Sequence, residues 1–471
     1  MKIAFIQRDA YEKLGVHQLV SCLQKINIVS DIFIDELEKE FFQQVINFQP
    51  DFISYSLYIG EESFMLNSFK ALKKEIPHVK TILGGPFTLV FPEILQNDQV
   101  DYIIRGDAEY SLPLFIQLYK SNKSIKQVNG VGYKETDGTI YMNNSIELTS
   151  NLKELPAPNR DVYYKYNYLR NDETKMFIAS RGCPFACTYC YNSELKKFYN
   201  DSYWRLRDVE SVIKEIEYVK NNYGLKWVHF QDGTFNANIK RLKILLKNYI
   251  EHNLPPFLCN CRVENIDEEL VKLMKRAGCN RITFGIQSGN EYIRSKIAGR
   301  RMSNEQIENA FQLCNKYQIR SGADIIFGWP GETIEQAMDT IRLCRKINAD
   351  SYHSNVLIPY PKLGVTKFAF QRGYLDHDPT MSEIENLNTN KSLIQQDDIN
   401  YLINMDKLFY YMIKLPVLDR YFRILLNMPP NKIFNLIKNL HLLRRSLKYH
   451  SKGLKYSIHL IKQYINTSFN I

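Results

Sequence analysis

Three features of this 471-residue chain predict an α/β protein: a doubly wound parallel sheet of the Rossmann or flavodoxin type, a partial (β/α)6 barrel of the TIM type, and a helical C-terminal region. Short Ile/Val-rich runs alternate with amphipathic stretches twice over, first from Lys2 to Lys120 and again from Met176 to Ile358. A proline-punctuated stretch, Leu155-Pro156-Ala157-Pro158-Asn159-Arg160, separates the two series and reads as a linker, since each proline pushes its predecessor out of the helical region. From Met381 the pattern becomes helical, broken at Pro416 and Pro429-Pro430.

In the first series Lys2–Gln7, Val29–Ile34, Asp51–Tyr58, Lys80–Gly84 and Asp101–Arg105 read as strands, nearly continuously apolar and ending near Gly, Pro or Asp. Crossover helices between them make the sheet parallel, with ligands outside the carboxyl ends of its strands. Asn129 to Asn144 reads as a hairpin turning at Asp137-Gly138. In the second series the strands are Met176–Arg181, Trp227–Gln231, Phe257–Arg262, Arg281–Ile286, Arg320–Phe327 and Ser351–Ile358. Helices are expected at Val209–Asn221, Glu268–Arg276, Asn304–Tyr317 and Ile334–Ile347. Six such units fit a partial barrel or a second open sheet; a barrel would carry its function on loops at the strands' carboxyl ends, where the unusual residues fall. The expected divisions are 1–125, 126–172, 173–375 and 376–471.

A composition of 45% hydrophobic and 24% charged residues is that of a globular chain. No uncharged apolar run approaches the ~18 residues of a membrane span, and the start lacks a signal peptide's apolar segment, so a cytoplasmic protein is expected. Nine cysteines in so long a chain are no disulfide framework, and three of them, Cys183, Cys187 and Cys190, fall within eight residues.

Those three thiols follow a strand in the loop Arg181-Gly182-Cys183-Pro184-Phe185-Ala186-Cys187-Thr188-Tyr189-Cys190. A tight loop can bring all three to one metal centre. Zinc normally takes four protein ligands at paired spacings, and no histidine stands nearby. Three thiolates on a four-iron cluster leave one iron open for a substrate or cofactor. Zinc and inert core cysteines are the other readings.

The C-x3-C-x2-C spacing, with Tyr189 before the third cysteine, resembles the signature of the radical S-adenosylmethionine (radical SAM) superfamily. The resemblance implies that Cys183, Cys187 and Cys190 ligate a [4Fe–4S] cluster whose open iron binds S-adenosylmethionine (SAM), and that SAM is cleaved reductively to a 5′-deoxyadenosyl radical. Gln231-Asp232-Gly233-Thr234-Phe235 resembles an acidic family segment with Gln231 replacing the first acid, leaving Asp232 as a SAM contact. On the third strand Asn260, Arg262 and Glu264 share one face, and the resemblance places Arg262 near the SAM carboxylate. Cys259 and Cys261 share the other face and read as core. Gly285-Ile286-Gln287-Ser288-Gly289 is similar to the family's Gly-x-Glu-Ser-Gly and implies Gln287 and Ser288 as further contacts. Gly328-Trp329-Pro330-Gly331-Glu332-Thr333 resembles Gly-x-Pro-Gly-Glu-Thr, with Gly328 beside the adenine and Glu332 either in the site or capping the next helix. Pro359-Tyr360-Pro361-Lys362-Leu363-Gly364-Val365-Thr366 is a longer variant of Pro-x-Pro-Gly-Thr.

A preceding doubly wound domain resembles that of the cobalamin-binding subclass. Ser54, Ser56, the pair Gly84-Gly85, and Gly106 and Glu109 of Arg105-Gly106-Asp107-Ala108-Glu109 match its motifs and are implied as cobalamin contacts. The Asp-x-His-x-x-Gly motif is absent, and His17, inside the first helix, reads as an ordinary histidine. The resemblance spans about residues 1–373. It implies modification of an unactivated carbon in a small-molecule, lipid or peptide substrate, methylation being first where cobalamin is bound, with a flavodoxin- or ferredoxin-type electron donor. A radical SAM enzyme without cobalamin and a non-catalytic iron–sulfur protein are the alternatives.

The net charge is +10, yet from Lys407 onward twelve Lys and Arg face a single acid, Asp419, so the tail carries +11 and the rest is near neutral. The tail reads as a helical subdomain with a solvated charged face, as a lid on the barrel, or as a basic amphipathic surface for peripheral membrane contact. No nucleic-acid motif accompanies the charge.

Overall fold

A computed structural model describes residues 1–449 apart from 147, 200–202 and 388–389, with side-chain surroundings given as far as Arg444 in the last helix. The chain divides into two compact units. One comprises Met1–Asp172, Ala179–Gly182 and Glu194–Leu225; the other comprises Glu173–Ile178, Cys183–Ser193 and the chain from Lys226 onward.

The first unit is built on β1 (Lys2–Gln7), β2 (Val29–Ile34), β3 (Phe52–Ser56), β4 (Lys80–Gly84) and β5 (Tyr102–Ile104), parallel in the order β2-β1-β3-β4-β5. The connections carry α1 (Leu14–Gln24), α2 (Phe41–Phe48), α3 (Glu62–Glu75) and α4 (Pro86–Val90), and α5 (Ala108–Lys120) follows β5. The expected hairpin is present as β6 (Val131–Lys134) and β7 (Ile140–Met142), turning at Gly138. It extends the same sheet antiparallel from β5, so the sheet has seven strands and a mixed edge.

The proline-rich stretch is no free linker. Gln18, Ser21 and His17 on α1 hydrogen-bond to the carbonyls of Pro156, Ala157 and Asn159 at 2.7, 2.7 and 2.8 Å. The Arg160 guanidinium, buried, pairs with Glu12 and Glu215 at 2.7 Å each. Arg207 joins Glu215 at 2.6 Å, and although burial opposes it, the two guanidiniums bring the Glu215 carboxyl down to about 2. A buried carboxylate between two cations satisfies its lone pairs in place. Glu215 lies on α9 (Val209–Tyr223), after three short helices: α6 (Asp161–Tyr164), α7 (Asn167–Arg170) and α8 (Tyr191–Lys197).

The second unit holds six parallel strands, β8 (Thr174–Phe177), β11 (Trp227–Phe230), β12 (Phe257–Cys261), β13 (Cys279–Gln287), β14 (Arg320–Phe327) and β15 (Ser351–Val356), in sequential order across the sheet. The expected strand Met176–Arg181 is two. Its second part, β9 (Ser180–Arg181), pairs antiparallel with β10 (Arg205–Leu206) inside the first unit, because the ladder from β8 to β11 stops at Phe177. Helices α10 (Ile239–Glu251), α11 (Glu268–Arg276), α12 (Asn304–Lys316) and α13 (Ile334–Ile347) connect successive strands from β11 to β15, giving the partial TIM-type barrel. Along β12 burial alternates as expected. Cys259 and Cys261 are buried among the helices, their sulfurs 3.8 Å apart, while Asn260 is half-open on the inner face.

Beyond α14 (Gly364–Gln371) and α15 (Met381–Glu385), α16 (Ile399–Lys414) packs on α13, β14 and β15, followed by α17 (Asp419–Leu426) and α18 (Lys432–Tyr449). Residues Tyr401 to Phe409 of α16 are all buried, Lys407 included, and burial brings the Lys407 ammonium down to about 8. Among the described residues no helix is long and apolar enough to cross a membrane.

Candidate functional site

The cysteine loop is pinned to the second unit at its centre. Thr188 donates its N–H to Ala298 at 3.2 Å and its hydroxyl to the Ile297 carbonyl at 2.6 Å, and its own carbonyl accepts from Val365 N–H at 3.0 Å. Tyr189 packs edge-on against the buried Trp329 ring, centroids 5.4 Å apart, and the Tyr191 hydroxyl donates to the Pro361 carbonyl at 2.9 Å. The Pro359–Thr366 segment therefore serves as the wall against which the loop is seated.

Polar groups converge on the sulfurs, cationic ones on Cys187. Cys187 Sγ receives Arg262 Nη1 at 3.6 Å and Arg300 Nη1 at 3.7 Å, Cys190 Sγ receives Asn192 Nδ2 at 3.6 Å, and Cys183 Sγ lies 3.6 Å from the Thr234 hydroxyl. Burial pushes the Cys190 thiol up, and its neighbours Cys187 and Cys183 add to this because three like charges would crowd one loop. Burial would also lower the Arg300 guanidinium, but Tyr189 and Cys187 beside it more than offset this and raise it. Two buried guanidiniums on one sulfur suit a thiolate that is shared with a metal.

The Arg262 plane stacks over the Phe185 ring at 3.9 Å and is bonded through Nε to Glu264 Oε1 at 3.0 Å. Its backbone is fixed by the fully buried Asn236, which accepts from Arg262 N–H at 2.9 Å and donates to its carbonyl at 2.8 Å. Glu264 Oε2 and Arg300 Nε are buried with no hydrogen-bond partner. An amino-acid zwitterion needs one acceptor for its ammonium and one donor for its carboxylate, and these two orphaned atoms are of those kinds. Among the described residues no three His, Cys, Asp or Glu converge tightly enough to hold a single ion. A cluster asks less of its thiolates, since each binds a separate iron.

At the strand ends Asp232 is buried and Gln231 exposed, Gln231 donating to His229 at 3.0 Å. Gln287 is buried at φ +71°, a left-handed backbone held by the register shift between β13 and β14. Ser288 is fully buried, its hydroxyl accepting from Asn290 N–H at 3.2 Å. Gly328 has φ +77° and a Cβ there would lie 3.2 Å from Val356. Glu332 does not cap the following helix; Thr333 does, in a capping box with Gln336. The Glu332 carboxylate instead turns back to accept the Gly328 and Trp329 N–H groups at 2.8 and 3.2 Å, and burial pushes it up to about 8.

In the first unit, Ser56, Gly84 and Gly85 stand at the carboxyl ends of β3 and β4, whereas Ser54 is buried in the middle of β3. Gly85 has φ +90°, and a Cβ there would lie 2.7 Å from both N and O of Leu57. Glycine is therefore required there by the close approach of the Leu57 backbone. Gly106 has φ +93°, and Glu109 is buried against Arg181 at 2.6 Å, with Asp107 bridging Arg181 and Arg205. His17 is fully buried with both ring nitrogens engaged, Nδ1 to the Asn159 carbonyl and Nε2 to Glu12 at 3.0 Å. Of the two ordinary places open to it, surface or core, it takes the core.

Comparison with known proteins matches residues 177–344 to the radical SAM superfamily and residues 10–116 to the B12 binding domain. The chain carries a radical SAM domain preceded by a B12-binding domain. An uncharacterized methyltransferase of Pyrococcus horikoshii is 26% identical over 369 residues, 77% of this chain and 79% of its own length. The anaerobic magnesium-protoporphyrin IX monomethyl ester cyclase of Cereibacter sphaeroides is 24% identical over 371 residues; the match covers 74% of this chain but only 58% of that protein. The fold is that of the cobalamin-dependent radical enzyme OxsB solved with aqua-cobalamin, at TM-score 0.71 and 15% identity over 99% of this chain and 75% of that one. With these two domains the protein has a [4Fe–4S] cluster, SAM and cobalamin as its cofactors.

Three residues carry more of the site than the sequence suggested. Arg300 lies 113 positions from Cys187 in an irregular loop with no periodic pattern, Asn236 acts through backbone bonds, and Phe185 acts through its ring face under Arg262.

Proposed function

We propose that this chain is a cytoplasmic, cobalamin-dependent C-methyltransferase acting on an unactivated carbon of a small-molecule, lipid or peptide substrate, with a flavodoxin- or ferredoxin-type protein as electron donor. When bound, the cofactors supply one-electron reduction, hydrogen-atom abstraction and a transferable methyl group. Cys183, Cys187 and Cys190 would hold the cluster, with Glu264 offering an acceptor for the SAM ammonium and Arg262 and Arg300 offering donors for its carboxylate. Asp232, Gln287 and the backbone at Ser288 line the same strand ends, and Gly328 leaves room beside the adenine. Ser56, Gly84, Gly85, Gly106 and Glu109 border the corrin domain's strand ends.

The observation that carries this reading is the pairing of a three-cysteine loop with two guanidiniums on Cys187 and an orphaned carboxylate oxygen on Glu264. Anoxic reconstitution with iron, sulfide, SAM and hydroxocobalamin tests it. Retained iron, a corrin absorbance and 5′-deoxyadenosine are expected together. Replacing Glu264 with Gln should weaken SAM binding roughly tenfold or more, measured by equilibrium dialysis on the reconstituted protein. Unchanged SAM affinity would remove Glu264 from the site.

A further inference from the structure

The C-terminal helices are apolar on two sides. On α17 the buried side, Phe422 and Leu426, is held on α16, where Asn404 donates to the carbonyls of Leu426 and Met428 at 3.2 and 2.6 Å. On α18 Phe434 is buried, and Lys438 reaches Asp406 of α16 at 2.7 Å. The opposite sides should be polar, yet Val417, Tyr421, Ile424 and Met428 recur at one-face helical spacing and all stand exposed, Val417 by 85% and Ile424 by 64%. Ile433, Leu436 and Leu440 form a second exposed stripe along α18, Ile433 by 69%. Two exposed apolar stripes on helices that both pack on α16 mark a docking surface rather than scattered surface hydrophobes.

The charge says what docks. Lys414, Arg420, Arg423 and Lys432 are exposed among the stripes, and the single acid of the region, Asp419, is taken by Arg345. A second copy of this face would bring cation against cation. Residues 450–471 add three lysines and no acid, so they repel it too. An anionic surface with an apolar interior meets both demands at once.

We propose that the outward face of α17 and α18 docks on an anionic lipid bilayer. Flotation of the full chain, reconstituted anoxically, with phosphatidylglycerol-containing vesicles and with phosphatidylcholine vesicles tests this. Binding is expected to the anionic vesicles alone and to fall as salt shortens the screening length. The pair Ile424→Glu and Leu436→Glu should reduce it at least tenfold, and Arg420→Gln with Arg423→Gln roughly fivefold per charge. Iron content and the thermal melting curve should stay unchanged, since all four side chains are exposed. Equal binding to both vesicle types, or undiminished binding by the glutamate pair, overturns the proposal. So does lipid-free dimerisation that the glutamate pair abolishes, which would make a second copy the occupant. Binding that emerges only after residues 450–471 are removed also overturns it, since that segment would then be the occupant.

Discussion

Cys187 receives two guanidiniums, and each stabilises negative charge on the group that its sulfur carries. Removing one should make the cluster harder to reduce. Arg300→Met is expected to shift the cluster's midpoint potential to more negative values by on the order of tens of millivolts, read by a redox titration followed by electron paramagnetic resonance. An unmoved potential would show that Arg300 serves packing alone. Of the two arginines only Arg262 was singled out in the sequence, through an expected strand face shared with Asn260 and Glu264; β12 in fact ends at Cys261, and Glu264 lies in the 3-10 turn Val263–Asn265. Arg300 became visible only through the fold, where the π-helical turn Ile293–Ile297 delivers it beneath Tyr189. For Glu332 the sequence left two readings open, a place in the site or a cap on the next helix; Thr333 with Gln336 satisfies that helix end, so Glu332 is not the cap.

The β14–α13 turn, in which Glu332 holds Gly328, is the element whose behaviour depends on pH. The Glu332 carboxyl keeps its proton up to about pH 8 in the folded chain, whereas an ordinary Glu ionises near ~4.3. The folded state therefore binds the extra proton between those values. Its stabilising contribution is full below about pH 4.3, declines as pH rises toward 8 and is gone above it, with a slope near 1.4 kcal/mol per pH unit. Glu332→Gln, neutral throughout, should flatten the decline in melting temperature between pH 5 and 8, which a thermal scan in a buffer series checks. The β4–α4 turn depends instead on a missing side chain. Gly85→Ala must move the Leu57 backbone and adopt a left-handed conformation, so about 1–3 kcal/mol of destabilisation and a lower corrin-to-protein ratio after reconstitution are expected. Strands β1, β2, β4 and β14 were legible to the residue because each carries an Ile-containing apolar stretch next to a helix-like segment. The break between β8 and β9 was not legible, since Met176–Arg181 is uniformly strand-like and only its pairing partners divide it.

For the whole chain, the sequence disclosed two α/β series because each helix and strand states its own period. What the tail's exposed stripes adjoin was not visible, since helical periodicity marks apolar residues without saying which face is buried. Nor does periodicity show that the hairpin joins the first sheet, which is a matter of tertiary pairing. The central claim is that Cys183, Cys187 and Cys190 hold a cluster with one iron open to SAM. Reductive SAM cleavage tests it most directly. Chain reconstituted under strict anoxia and reduced with dithionite should bind about four irons and release 5′-deoxyadenosine, and Cys190→Ala should lose both. Release undiminished in the Cys190→Ala protein, or zinc in place of iron in the anoxically prepared parent, would contradict it.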